Sequence, residues 1–254
     1  MKQHPDIESA APSAIRKLEI MFLPGLLNDH RLWWQQIDGL SDIAHGSVAD
    51  LSTASSMPAL ASSVLAQAPA GSFFLAGMSM GGYVALEIMR QCPQRILGLA
   101  LLDTSARPDT AQATASRRQL MQQSESDFDG VIEQLLPRLL HPSKLDDAIV
   151  RDTCWSMAKA LGPEVFRRQQ EAIIGRIDSR PLLHQISCPT LVLCGRDDQI
   201  TPVEVHTELA ERIAGAHLSI IENCGHLSPL EHPCLVTREL RSWLEEIQKG
   251  YGLR

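Results

Sequence analysis

A serine, a histidine and an acid that together could relay a proton during acyl transfer lie at the ends of apolar runs in this chain. Ser79 is the middle residue of Gly77-Met78-Ser79-Met80-Gly81, which follows the apolar run Ser72–Ala76 and precedes the helical pattern Gly81–Gln91. G-x-S-x-G between a strand and a helix is a nucleophile elbow: the sharp turn strains the backbone of the middle residue and lifts its side chain clear. Glycine on either side lets neighbouring chain segments approach closely, and Gly82 extends the turn. The Ser79 hydroxyl then stands at a helix N-terminus, where the dipole favours developing negative charge.

A serine hydroxyl is a weak nucleophile until a base takes its proton. Of nine histidines, His226 is placed best, in Asn223-Cys224-Gly225-His226 just after the apolar run His217–Ile221. His217 begins that run and belongs at its opposite edge, and His232 opens the final helix. The base in turn needs an acid to fix its tautomer and stabilise the imidazolium. Asp197 and Asp198 follow the run Thr190–Cys194, and either could point into the site. Asp103, at the end of Ile96–Leu102, is a rival whose expected role is bonding to loop amides.

These residues need a scaffold that gathers strand ends along one edge. Continuous apolar runs at Leu18–Leu23, Ser72–Ala76, Ile96–Leu102, Thr190–Cys194 and His217–Ile221 alternate with helical patterns. A shorter strand is expected near Gly46–Ala49. Helices are expected over Asp29–Leu40, from Ser56-Met57-Pro58 onward, and over Leu235–Gln248. Apolar strands alternating with helices indicate an α/β fold, a mostly parallel sheet covered on both faces. The expected division is a leader over 1–14, a core over 15–104 and 180–254, and a helical cap over 105–179. The cap segment has no strong strand signal, and ligands of open α/β sheets bind beyond the carboxyl ends of the strands. A helical cover there would roof the pocket.

The elbow, the order Ser79…Asp198…His226 and the loop Gly225-His226-Leu227-Ser228-Pro229-Leu230-Glu231-His232-Pro233 resemble those of α/β-hydrolase fold proteins. The stretch Gly81–Ala85, with Leu99–Ala106, is similar to small bacterial esterases and enol-lactonases of that group. The resemblance runs from about residue 15 to the end and is weakest over the cap. It implies Asp198 as the acid, three residues after Gly195 and four before Pro202. It also implies an oxyanion hole formed by the Met80 and Leu26 backbone N–H groups. Many relatives carry His-Gly where this chain has Pro24-Gly25, but an amide donor does not need that histidine. Trp33, Trp34 and Trp155 could line the acyl pocket, although packing in the core is the commoner fate of tryptophan.

The implied activity is hydrolysis of a small carboxylic ester or lactone through an acyl-enzyme on Ser79. The same triad could serve a carbon–carbon bond hydrolase, an acyltransferase or a cofactor-free perhydrolase. A ligand-binding receptor or pseudoenzyme on this fold is the alternative from another class. Ser79 excludes the relatives that use an aspartate nucleophile. No dinucleotide fingerprint or P-loop occurs, and the six cysteines lack zinc spacing, so no cofactor or metal is expected. The 254 residues carry a net charge of -7, which argues against nucleic-acid and anionic-membrane partners. A cytoplasmic monomer or homodimer with reduced thiols acting on a small molecule is the expectation.

Overall fold

A computed structural model describes residues 17–251. The expected leader, 1–14, lies outside the described residues. Strands β1 (Leu18–Leu23), β2 (Ala44–Val48), β3 (Phe73–Met78), β4 (Ile96–Leu102), β5 (Thr190–Gly195) and β6 (His217–Ile221) form one sheet. Its order is β2-β1-β3-β4-β5-β6, and every pairing is parallel. Every residue of β3 and β5 is buried, which accounts for their unbroken apolar sequence: helices cover both faces.

The side-chain period of two divides the core. Ile20, Phe22, Phe74, Ala100 and Leu193 pack on one face with residues of helices α1 (Trp34–Gly39) and α10 (Pro233–Tyr251). Met21, Phe73, Leu75, Leu101 and Val192 pack on the other with α2 (Met57–Gln67), α3 (Met80–Gln91) and α8 (Val203–Arg212). Ser56 caps α2 by accepting the Ala59 N–H, as the Ser-Met-Pro start suggests.

The stretch between β4 and β5 holds, ahead of a further short helix, three long ones: α4 (Ala111–Gln123), α5 (Phe128–Leu139) and α6 (Ala148–Ile174). The last is kinked at Gly162, whose φ of 77° suits glycine and whose successor, Pro163, cannot complete the helical bonding. The short helices α7 (Arg180–Leu183) and α9 (Ser228–Glu231) complete the chain. One expectation needs correcting. The pattern over Asp29–Leu40 is not a single helix but a 3-10 turn, His30–Leu32, followed by α1. The Asp29 carboxylate accepts the Arg31 N–H and closes the tighter turn, and Trp33 sits at the break, buried against Phe22.

Candidate active site

Ser79 sits between β3 and α3 with φ 53° and ψ −116°, a conformation that L-residues avoid unless the surroundings impose it. The imposing groups are identifiable. A Cβ on Gly77 would collide with the Gly81 carbonyl, and one on Gly81 with the Leu23 carbonyl of β1. The Ser79 N–H donates to the Leu102 carbonyl, and the Thr104 hydroxyl donates to the Ser79 carbonyl, so β4 and its loop hold the elbow.

The His226 ring lies between the serine and an acid. Its Nε2 is 2.8 Å from the Ser79 hydroxyl and its Nδ1 is 2.7 Å from Asp198 Oδ2. The Asp198 Oδ1 accepts the Ile200 and Thr201 N–H groups at 2.8 and 3.0 Å, and the Thr201 hydroxyl donates to Oδ2 at 2.6 Å. Burial opposes charge on Asp198, yet the facing His226 and these donors hold its carboxyl below the usual carboxylate range. Burial likewise opposes an imidazolium, but the charge and hydrogen bond of Asp198 override it and raise His226.

The other acids are positioned differently. Asp197 points outward toward His141 at 3.7 Å with about half its side chain exposed. Asp103, fully buried, accepts from the Gly195 N–H and from the Ser228 N–H and hydroxyl, and has no hydrogen bond to His226. Burial, reinforced by Asp198, pushes its carboxyl well above the usual range. His217 is exposed at the start of β6, and His232 Nε2 donates to the Asn223 carbonyl.

The histidine loop is gripped from outside the sheet. The buried Glu231 carboxylate accepts the N–H groups of Gly225 and Leu227, the two neighbours of His226, and that of His141 just beyond α5. The His226 N–H donates to the Leu139 carbonyl of α5. Across the site, the loop after β1 turns at Gly25 and gives Leu27 a φ of 55°. The Leu27 N–H is bonded to Gln169 Oε1 of α6, whose Nε2 bonds to the Leu51 carbonyl. Among the described residues, the Leu26 and Met80 N–H groups have no hydrogen-bond partner, and Met80 opens α3, where a helix leaves its first amides unpaired.

Ser79 and His226 border a cavity of about 370 Å³, within the range that holds a small organic ligand. Its apolar wall comes largely from the inserted helices, through Leu120, Leu135, Leu136 and Ile173. Neither Trp33 nor Trp155 lines it. Trp33 is wholly buried on Phe22, with ring centroids 4.9 Å apart, and Trp155 borders a separate surface groove with Glu133 and Arg151. Trp34 is mostly exposed. Asn28, Gln169, Gln170 and Arg117 carry no sequence motif and emerge only from the packing, and Thr201 and Glu231 lie within the acid and histidine loops without a role read from them. Among the described residues, no group of three His, Cys, Asp or Glu is arranged to hold a metal ion.

Residues 22–239 match the alpha/beta hydrolase family, and the chain belongs to it. It is a hydrolase of that family, and the proteins it resembles include esterases, an enol-lactonase and a putative carbamate hydrolase. A pimeloyl-[acyl-carrier protein] methyl ester esterase from Chromobacterium violaceum is 30% identical over 178 residues, covering 66% of this chain and 68% of that protein. A 3-oxoadipate enol-lactonase from Acinetobacter baylyi is 30% identical over 159 residues, covering 62% of this chain. The match spans only 58% of that lactonase's length. A solved thermophilic esterase from Thermogutta terrifontis, with malate bound, superposes with a TM-score of 0.83 at 30% identity. That match covers 91% of this chain and 90% of the esterase.

Proposed function

We propose that this chain hydrolyses a small carboxylic ester or lactone through an acyl-enzyme on Ser79. The observation that carries the reading is the continuous relay at 2.8 and 2.7 Å from the Ser79 hydroxyl through His226 to Asp198, beside a cavity of ligand size. The esterase and lactonase activities of the relatives support the same substrate class.

In this reading the Ser79 Oγ attacks the carbonyl carbon as its proton passes to His226 Nε2. The resulting oxyanion takes the free N–H groups of Leu26 and Met80, and the Asp198 carboxylate stabilises the imidazolium. The tetrahedral adduct collapses, and His226 gives its proton to the leaving alkoxide. A water then attacks the acyl-enzyme while His226 Nε2 accepts its proton; as the second adduct collapses, His226 returns that proton to Ser79 Oγ and the carboxylic acid departs. The substrate is a small molecule, and the protein acts in the cytoplasm as a monomer or homodimer, without nucleic-acid or membrane partners. The free thiols, three of them buried, support a reducing compartment.

The test is hydrolysis of p-nitrophenyl acetate and a simple lactone by wild type and Ser79→Ala, with fluorophosphonate labelling alongside. Wild type should turn over and label at Ser79, and the variant should do neither above a residual rate. Equal turnover by both proteins refutes the assignment.

A further inference from the structure

The polar groups of the cavity differ in sign from the rest of the molecule. The chain carries a net charge of -7, yet the cavity wall includes two arginines, Arg117 and Arg138, and no aspartate or glutamate. Arg138 of α5 is exposed and makes no ion pair among the described residues. Arg117 of α4 has only about a fifth of its side chain exposed and is held in place from two sides. Its Nε faces Asp109 at 3.3 Å, and its Nη1 donates to Gln170 Oε1 at 2.8 Å.

Asp109 does not neutralise this arginine alone. Its buried carboxylate also takes Arg176 Nη1 at 2.9 Å and the Thr114 hydroxyl at 2.9 Å, so two guanidinium groups share one negative charge. The Arg176 guanidinium in turn lies 4.5 Å from the centroid of Tyr83, another cavity residue.

Gln170 is fully buried and also lines the cavity. Because a guanidinium only donates, Gln170 must turn its oxygen to Arg117, which fixes the orientation of the amide. Its Nε2 is then left buried with no hydrogen-bond partner. Arg117 Nη2 likewise has no partner among the described residues. Arg117, partly exposed, therefore keeps an unspent donor at the cavity wall, and the Gln170 amide bonded to it keeps a second just behind that wall, which a small side-chain shift brings to a ligand. An isolated buried donor is unfavourable until an acceptor arrives, and a planar carboxylate accepts from two such donors at once.

We propose that Arg117 and Gln170 form a subsite for a carboxylate remote from the scissile bond, so that the substrate is an anionic ester or lactone. Arg138 at the wall adds attraction without fixing the group. The proposal rests on the esterase reading of Ser79 and names the substrate class of that site.

The test compares kcat/KM for monomethyl esters of dicarboxylic acids with methyl esters of monocarboxylic acids of equal length. A second arm compares ω-acetoxyalkanoates with alkyl acetates, which distinguishes a carboxylate on the acyl part from one on the alcohol part. Wild type should favour the anionic member of at least one pair by about ten- to hundredfold, as one or two charge-assisted bonds imply. That ratio should fall to near one in Arg117→Gln. In Gln170→Glu, which still accepts from Arg117 but sets a negative charge where the ligand's would sit, it should invert. A ratio within one preparation is insensitive to the folded fraction.

Calorimetric titration of Ser79→Ala with the preferred dicarboxylate monoester, or with glutarate if no ester reacts, gives a readout independent of turnover. Binding that disappears in Ser79→Ala/Arg117→Gln supports the subsite even if no ester is cleaved, in which case the esterase reading falls alone. Turnover of neutral and anionic esters at equal rates, with Gln170→Glu leaving the ratio unmoved, overturns the subsite and leaves the esterase reading intact. Failure of both turnover and binding overturns both.

Discussion

Replacing Asp198 by asparagine changes one atom and should nearly abolish turnover, for a reason set by the hydrogen bonds around it. Oδ1 of Asp198 accepts two backbone N–H groups, from Ile200 and Thr201. An asparagine in that place must keep its oxygen toward those amides and turn its NH₂ toward His226 Nδ1, 2.7 Å away. The Thr201 hydroxyl can reverse and accept, so nothing resists this orientation. His226 Nδ1 then becomes an acceptor, the ring proton moves to Nε2, and the nitrogen facing Ser79 can no longer take a proton. The wrong tautomer and the lost carboxylate together should lower kcat/KM on the order of 10⁴-fold, or about 5 kcal/mol of transition-state stabilisation. The assay is p-nitrophenyl ester hydrolysis across pH. Turnover needs neutral His226, and Asp198 raises that group, so the wild-type acid limb should lie above pH ~6.5. In Asp198→Asn, whatever rate remains should have its limb at lower pH. Asp197→Asn, on the outward carboxylate, should stay within about threefold of wild type. An Asp198→Asn enzyme within tenfold of wild type, or an Asp197→Asn enzyme as damaged, refutes the assignment of the acid.

Glu231→Gln should cost both stability and rate. The carboxylate oxygens accept three N–H groups, and an amide must turn its NH₂ against at least one of them. A loss of about 3 kcal/mol lowers Tm by roughly 6–12 °C in a protein of this size, and calorimetry with parallel kinetics checks it; an unchanged Tm is the contrary result. His206 should make the fold sensitive to acid. Its Nε2 accepts the Thr104 N–H at 2.8 Å, and burial pushes the ring down to about 4. The unfolded chain takes up this proton near pH ~6.5 and the folded chain only near about 4, so stability falls as pH drops through that window. His206→Gln should remove about 3 kcal/mol of that loss, read as a flatter dependence of the urea midpoint on pH. Parallel wild-type and variant curves would contradict it.

The sheet and the relay were legible in the sequence because each has a local signature. Buried parallel strands must be apolar on both faces, so β3, β4 and β5 are visible as continuous runs. The elbow is visible because its glycines answer collisions that exist wherever a strand turns directly into a helix. Asp198 could be separated from Asp197 only through family spacing, since alternation along a loop does not say which carboxylate faces inward. The tryptophans were misleading because an indole suits a core as well as a pocket, and Trp33 went to Phe22. Gln169, Gln170 and Arg117 left no trace, because glutamine and arginine on a helix are ordinary surface residues until tertiary packing buries them.

The inserted helices do more than shape the cavity. Through Gln169 they hold the loop carrying Leu26, and through the Leu139 carbonyl they hold the backbone of His226. The loop carrying Leu26 and the backbone of His226 are thus both anchored to the segment that supplies most of the cavity's apolar wall. Lifting these helices would break the Leu27–Gln169 and His226–Leu139 bonds and, on the proposed reading, pull the base and an oxyanion donor out of register. On the proposed reading, exchanging the segment wholesale for that of a relative would transplant the pocket and break both anchors beneath it, whereas single substitutions along the cavity wall would leave them in place.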